Sequence, residues 1–280
     1  SRAIRCVSEC SVSSARAPPV STLFPYATLF RSGTVNRTTS GSFEVLCHRS
    51  RLAGRVRIVC VSDTHGFHQE LVIPLGDVLV HTGDFCDTGS ASELDSFCAW
   101  LDRQPHAHKV VVAGNHDGCL DRLLVGQPAA EEATRRVKRS AHYLFDSGVV
   151  LCGLSFWGSP MQPDFEGAFN KARGAALRAH WDLVPSETDV LLTHTPPAGH
   201  LDIAFRAGSV GCGELGRAIE RIRPLLNVFG HIHEGHGVEE RMWVDSRGGE
   251  TLFVNAASVD LSCSPSNAPV VVDLIARAPS

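Results

Sequence analysis

Five short polar motifs stand in a fixed order along the chain: Asp63-Thr64-His65, Gly83-Asp84, Gly114-Asn115-His116-Asp117, Thr193-His194 and Gly230-His231-Ile232-His233. Each follows a run of aliphatic residues that reads as a buried strand, and strand ends are where an α/β sheet presents side chains to a cleft. Carboxylates, an amide and several imidazoles converging there make a mixed oxygen and nitrogen donor set suited to a pair of divalent ions. The chemistry implied is metal-assisted hydrolysis, and a phosphate ester is the fitting substrate. Chance does not explain the set. With the 25 Gly and 14 His of this chain, random placement gives Gly-Asn-His about 0.03 times and Gly-His-x-His about 0.06 times. Asp-x-His and Gly-Asp are each expected about once, so their order and strand context carry the signal.

The elements that must position these motifs are legible around them. Val56 to Val61 is a continuous apolar run of the kind buried on both faces of a parallel sheet. Asp77 to His81, Lys109 to Ala113, Val149 to Phe156, Asp189 to Thr193 and Leu225 to Phe229 read as further strands, most of them delivering a motif. Val238 to Val244, Thr251 to Asn255 and Val270 to Leu274 complete the strand set. Helices are expected over Ser90 to Arg103, with Ser92 as N-cap, over Lys171 to Trp181, and over Glu214 to Arg223 before Pro224. Glu131 to Arg139 reads as a solvated helix or loop. Strands alternate with helices early and cluster late, which points to two stacked mixed sheets flanked by helices.

The folded domain is expected over residues 55–276. Residues 1–54 read as a separate extension, disordered or artefactual, rich in Ser, Arg and Thr and without sustained periodicity. Within it, Thr22 to Ser32 looks like the translated read of a common sequencing-library adapter, with Ala27 where that read gives Thr. A basic, Ser-rich, acid-poor start also fits a transit peptide.

Hydrophobic residues at 43% and charged residues at 20% suit a soluble α/β enzyme with one large core. A net charge of −4 argues against a dedicated nucleic-acid surface, and no apolar run is long enough for a bilayer span. The ten Cys show no C-x-x-C pairing and read as buried free thiols of a reducing compartment, hence a cytoplasmic location.

The order and spacing of the five motifs resemble the calcineurin-like metallophosphoesterase superfamily, with its D-x-H, G-D, G-N-H-[DE], lone H and G-H-x-H. The likeness covers roughly Val56 to Leu274. It is closest to the small metallophosphoesterase-domain subgroup, which has stretches similar to His81–Phe85, Ala113–His116, Leu191–Pro197, Gly230–Gly235 and Asn255–Ser258. The resemblance implies a four-layer αββα sandwich of two mixed β-sheets. It further implies that Asp84 bridges two ions, with Asp63, His65 and His233 on one and Asn115, His194 and His231 on the other. Mn, Fe, Zn or Mg suits such donors, Mn being favoured. The implied reaction is hydrolysis of a phosphodiester, nucleotides and cyclic nucleotides included, by a metal-activated hydroxide. His116 is then the acid at the leaving group, and Asp117 the carboxylate that fixes the tautomer of His116.

Three further residues are expected to touch substrate. Arg173 and Asn170, in the stretch after a long irregular loop, would supply a cation and an amide, and His236 would touch substrate, a plain surface role being the alternative for Arg173 and His236. His106, His108, His180 and His200 belong to no motif and read as surface residues. Two rival readings stand beside this one. His231-Ile-His-Glu-Gly-His236 approaches the H-x-H-x-D-H motif of metallo-β-lactamase-like hydrolases, but Gly235 occupies the Asp position. A binding or scaffold protein that lost catalysis is the other, and no expected donor is substituted here.

Overall fold

Alternation along the strands sorts the aliphatic side chains into two cores. The structure, a computed structural model, describes residues 28–30, 55–246 and 248–275. In the first sheet, β1 (Arg55–Val61), β2 (Val78–Thr82), β3 (His108–Val112) and β4 (His142–Tyr143) run parallel in that order. In the second, β5 (Ser147–Leu151) and β6 (Leu154–Ser159) pair antiparallel. Beyond β6 come β7 (Val190–Thr193) and β8 (Leu226–Phe229), both parallel to it. The antiparallel β9 (Gly237–Met242) edges this sheet through β10 (Glu250–Asn255), and β11 (Val270–Ile275) returns to the first sheet, antiparallel to β1. Among the described residues each of these two sheets has six strands, the first counting a three-residue strand, Thr28–Phe30, parallel to β11. The remainder of the expected N-terminal extension, including the transit-peptide reading, lies outside the described residues.

Ile58, Cys60, Val80, Val110 and Val112 from the first sheet meet Phe156, Val190, Leu192, Val228 and Val254 from the second. The intervening residues, such as Val59, Val61, Leu79 and Leu191, turn outward and are buried under helices. Helix α1 (Ala91–Arg103) supplies Leu94, Phe97, Trp100 and Leu101 to this outer layer. Helix α2 (Gln127–Ser140) packs beside it through Ala133 and Val137. Helices α3 (Ala175–Trp181) and α4 (Gly213–Ile222) pair with each other and supply Leu177, Trp181, Leu215 and Ile219. The four-layer αββα arrangement expected from the sequence is therefore present. Each fully buried aliphatic or aromatic side chain contributes about 1.5–3 kcal/mol relative to exposure, so the cores can hold strained loops at their rim.

Several local expectations are corrected. The cap of α1 is Ser90, not Ser92: its hydroxyl accepts from the Glu93 amide and the Glu93 carboxylate reaches back to the Ser90 amide. The pair is a capping box, which Ser92, inside the helix, cannot make. Val149 to Phe156 is not one strand but the hairpin β5–β6. Cys152 and Gly153 at its turn have φ of 51° and 77°, the two left-handed residues a tight hairpin requires. The segment 127–140 is fully helical, and α3 begins at Ala175, after Gly174. Cys60, Cys86 and Cys212 are buried free thiols, as expected, whereas Cys152 and Cys263 are exposed. No helix among the described residues is long and apolar enough to cross a membrane.

Candidate metal centre

The parallel strands of both sheets end at one edge, and the five motifs lie in the loops that leave it. From the first sheet β1 delivers Asp63 and His65, β2 delivers Asp84, and β3 delivers Asn115 to Asp117. From the second, β7 delivers His194 and β8 delivers His231 and His233. Asp63, His65, Asp84 and His231 all carry positive φ, between 41° and 67°. Left-handed backbone at non-glycine residues costs energy and concentrates where a fold over-determines a site.

All seven expected ligands are brought together. Asp63, His65 and His233 form one donor cluster, Asp84, His194 and His231 a second, and His65, Asp84 and His116 a third between them. Asp63 Oδ1 lies 3.5 Å from His233 Nε2, which is 3.4 Å from His65 Nε2. Asp84 Oδ2 lies 3.2 Å from His194 Nε2 and 3.9 Å from His65 Nε2, so one oxygen faces both clusters. Asn115 Oδ1 is 3.0 Å from His194 Nε2. Donors held at about 2.1 Å from a divalent ion and at right angles lie about 3 Å from one another, so these separations fit shared ions.

The hydrogen-bond roles support the same fit. His194 Nδ1 lies 2.8 Å from the Thr82 carbonyl and donates its proton there. Its Nε2 lone pair then points at the oxygens of Asn115 and Asp84, and only a cation or a further proton can lie between them. Without a metal, the proton fills that place: burial disfavours charge on His194, yet Asp84 beside it raises its pKa to about 9. Burial also works against charge on Asp84, but His194 holds its carboxyl well below the usual range. Asp63, equally buried, is held at about 2 by its bond to His233 and by His194. His231 is lowered to about 4 by burial and by His194. Among the described residues neither Asp63 nor Asp84 pairs with Lys or Arg, so the positive charge must come from imidazolium or metal.

Close approach explains two of the glycines. A Cβ on Gly83 would stand 2.6 Å from both the Gly114 amide nitrogen and His194 Nδ1. One on Gly230 would run into the Asp63 carboxylate, which accepts the His231 amide at 2.9 and 3.0 Å.

The structure places Asp117 differently from expectation. Its carboxylate does not contact the His116 ring. Oδ2 accepts the amides of Asp84 and Gly114, both at 2.8 Å, and Oδ1 accepts that of Cys86 at 2.9 Å. Asp117 is fully buried and ties two ligand loops together. The partner of His116 is the Asp87 carbonyl, 2.6 Å from Nδ1, and the exposed ring leaves Nε2 unengaged among the described residues.

The expected substrate contacts are occupied by the chain itself. Asn170 Nδ2 donates to the carbonyls of Phe165 and Gly167, while its Oδ1 accepts from the Phe165 amide and Gln162 Nε2. Arg173 donates to the Gly211 and Val210 carbonyls at 3.0 and 2.9 Å. His236 differs, its buried Nδ1 having no hydrogen-bond partner among the described residues. His106 and His200 are buried and not surface residues: His106 Nε2 meets the Pro74 carbonyl, and His200 stacks 3.8 Å from the Phe253 ring with Nδ1 on Glu239.

Sequence reasoning assigned no role to Thr82, whose carbonyl orients His194, or to Asn255. The Asn255 amide donates to the Ile232 carbonyl at 2.8 Å and so braces the loop between His231 and His233. Asn255 lies in a stretch noted for its resemblance, but a backbone contact leaves no spacing signal. Phe165 was also passed over. Its ring meets that of His231 edge to face, with centroids 5.0 Å apart.

Comparison with known proteins agrees with this geometry. The metallophosphoesterase domain-containing protein 1 of Homo sapiens is 39% identical over 240 residues, spanning 79% of this chain and 72% of that protein. UPF0046 protein K07C11.7 of Caenorhabditis elegans is 37% identical over 223 residues, 77% of this chain and 74% of that one. One solved crystal structure superposes with a TM-score of 0.50 at 17% identity, over 72% of this chain and 90% of the other, a likeness of fold alone. The model of the calcineurin-like phosphoesterase family matches residues 56–235, from the first core strand to just past the His231–His233 loop. With its donor loops gathered at one sheet edge and that match across most of its folded part, the chain belongs to the calcineurin-like phosphoesterase family, metal-dependent hydrolases that generally use a pair of divalent ions.

Proposed function

We propose that the protein hydrolyses phosphodiesters using two divalent ions, Mn2+ foremost, with Asp84 between them. The observation that carries this reading is the single oxygen, Asp84 Oδ2, facing His194 on one side and His65 on the other. Asp63, His65 and His233 would hold one ion; Asn115, His194 and His231 would hold the other. When bound, such ions supply Lewis acidity at the phosphate and a water of lowered pKa. His116, fixed through Nδ1 by the Asp87 carbonyl, presents Nε2 to protonate the leaving oxygen.

The preference for diesters rests on charge. Asp63, Asp84 and Asp117 carry no Lys or Arg partner among the described residues, and the terminal nitrogens of Arg173 are engaged by carbonyls. A singly charged phosphate suits a site with so little protein cation better than a dianion does. The test is turnover of bis(4-nitrophenyl) phosphate against 4-nitrophenyl phosphate in Mn2+, with and without chelator. Chelator-sensitive hydrolysis favouring the diester supports the proposal. Tenfold better turnover of the monoester would overturn the diester assignment, and no metal-dependent turnover of either would favour the scaffold reading.

A further inference from the structure

The loop between β6 and α3 is built to hold one aromatic ring in solvent beside the metal centre. Phe165 is 58% exposed, yet its backbone is clamped from both directions by Asn170, which accepts its amide at 3.0 Å and donates to its carbonyl at 2.6 Å. Asn170 also donates to the Gly167 carbonyl, and Gln162 donates to the Ala168 carbonyl at 3.1 Å. The loop is bolted to the centre itself: the Ala168 amide donates to the carbonyl of Asn115 at 2.9 Å. On its far side the Phe169 amide donates to Asp121, and Phe169, unlike Phe165, is buried. An exposed ring on a loose loop would be ordinary; one fixed by this many bonds has its ordering entropy removed in advance.

We propose that Phe165 is a specificity-determining residue that stacks against a planar aromatic group carried by the phosphate ester. The edge-to-face contact with His231 sets the ring at the mouth of the cluster formed by Asp84, His194 and His231, and more than half of its surface remains available. A phosphate held at that cluster puts its ester substituent beside the ring. Aromatic pairing then favours a planar substituent over a puckered one of equal size. Asn170 acts through Phe165 as a positioning residue. The inference rests on the phosphoesterase reading of the same site.

The test separates stacking from a buttress of His231 and from catalysis. Phenylphosphonate and cyclohexylphosphonate have similar bulk and cannot be hydrolysed, so their binding to the Mn2+-reconstituted protein is measured by calorimetry alongside Mn content. Wild type is expected to prefer the phenyl compound about three- to tenfold. Phe165→Leu, which keeps apolar bulk, should abolish that preference with Mn content unchanged, and Phe165→Tyr should retain it. The proposal is overturned if wild type shows no preference, if Phe165→Leu keeps it, or if Phe165→Leu instead loses Mn. Failure of the diester reading would show separately, as absent diester turnover by a wild type that still discriminates between the two phosphonates.

Discussion

The Asp87 carbonyl lies 2.6 Å from His116 Nδ1, so the backbone and not a carboxylate sets the tautomer of the proposed acid. With Nδ1 turned to that carbonyl, Nε2 is the ring nitrogen that can pass a proton to the leaving oxygen. His116→Ala is expected to keep metal content while lowering turnover by roughly 10²–10⁴-fold, the usual worth of such proton transfer. The loss should shrink as the leaving group becomes more acidic. A leaving-group series across the two proteins measures this, and equal losses throughout would remove His116 from the acid role.

Metal content is the second expectation. Fully loaded protein should carry two ions per chain by elemental analysis, and His231→Gly should lower the count toward one with the fold intact by circular dichroism. Because the ions bind the folded chain, adding Mn2+ to metal-free protein should raise Tm in a concentration-dependent way. One ion in saturated wild type contradicts the two-ion proposal.

Asp117 offers a purely structural substitution at the edge of the site. Asp117→Asn turns an acceptor oxygen into an N–H group facing amide donors and leaves buried groups unpaired. The expected cost is about 1–3 kcal/mol in denaturant midpoint experiments. Metal affinity should fall too, since Asp84 and Gly114 hang from that carboxylate. If Asp117 instead acted by orienting His116, stability would be spared and the pH–rate profile would move.

Stability should weaken as the solution is acidified below pH 6.5. His68, packed against Phe97 and Trp100, has its pKa lowered from 6.5 to about 4, first by burial and then by Arg103. Between those two pH values the unfolded chain binds more protons than the folded one, so folding stability falls as pH drops through the window. Buried His81, lowered to about 3, acts in the same direction. His68→Leu should flatten the difference in urea midpoint between pH 6.5 and pH 4.5, and an unchanged difference would exclude His68 as a contributor.

The clustering of the candidate ligands was legible because they are side chains whose types and spacing the chemistry demands. Asp63, Asp84, Asn115 and His233 could be named from short motifs at the ends of apolar runs. What escaped was carried by backbone and by conformation. The turn at Cys152-Gly153 was hidden because Cys is a rare choice at positive φ, so an apolar hairpin read as one strand. The hold of Asp87 on His116 passes through a carbonyl, which every residue possesses. Asn170 was expected to bind substrate but clamps the Phe165 backbone, because its type cannot tell a substrate contact from a clamp on its own loop.

The donors come from both sheets: Asp63, His65, Asp84 and Asn115 from one, His194, His231 and His233 from the other. An ion seated there would also be a rivet at a rim where hydrogen bonds from His194 to the Thr82 carbonyl and from His231 to the Asp63 carboxylate already join two leaves whose interior is the greasy filling of Ile58, Val80, Phe156 and Leu192. Non-directional contact of that kind resists separation more than it resists sliding, whereas coordination bonds fix angle as well as distance. A chelator should then act mechanically as well as chemically, letting the leaves shear while the interior stays dry.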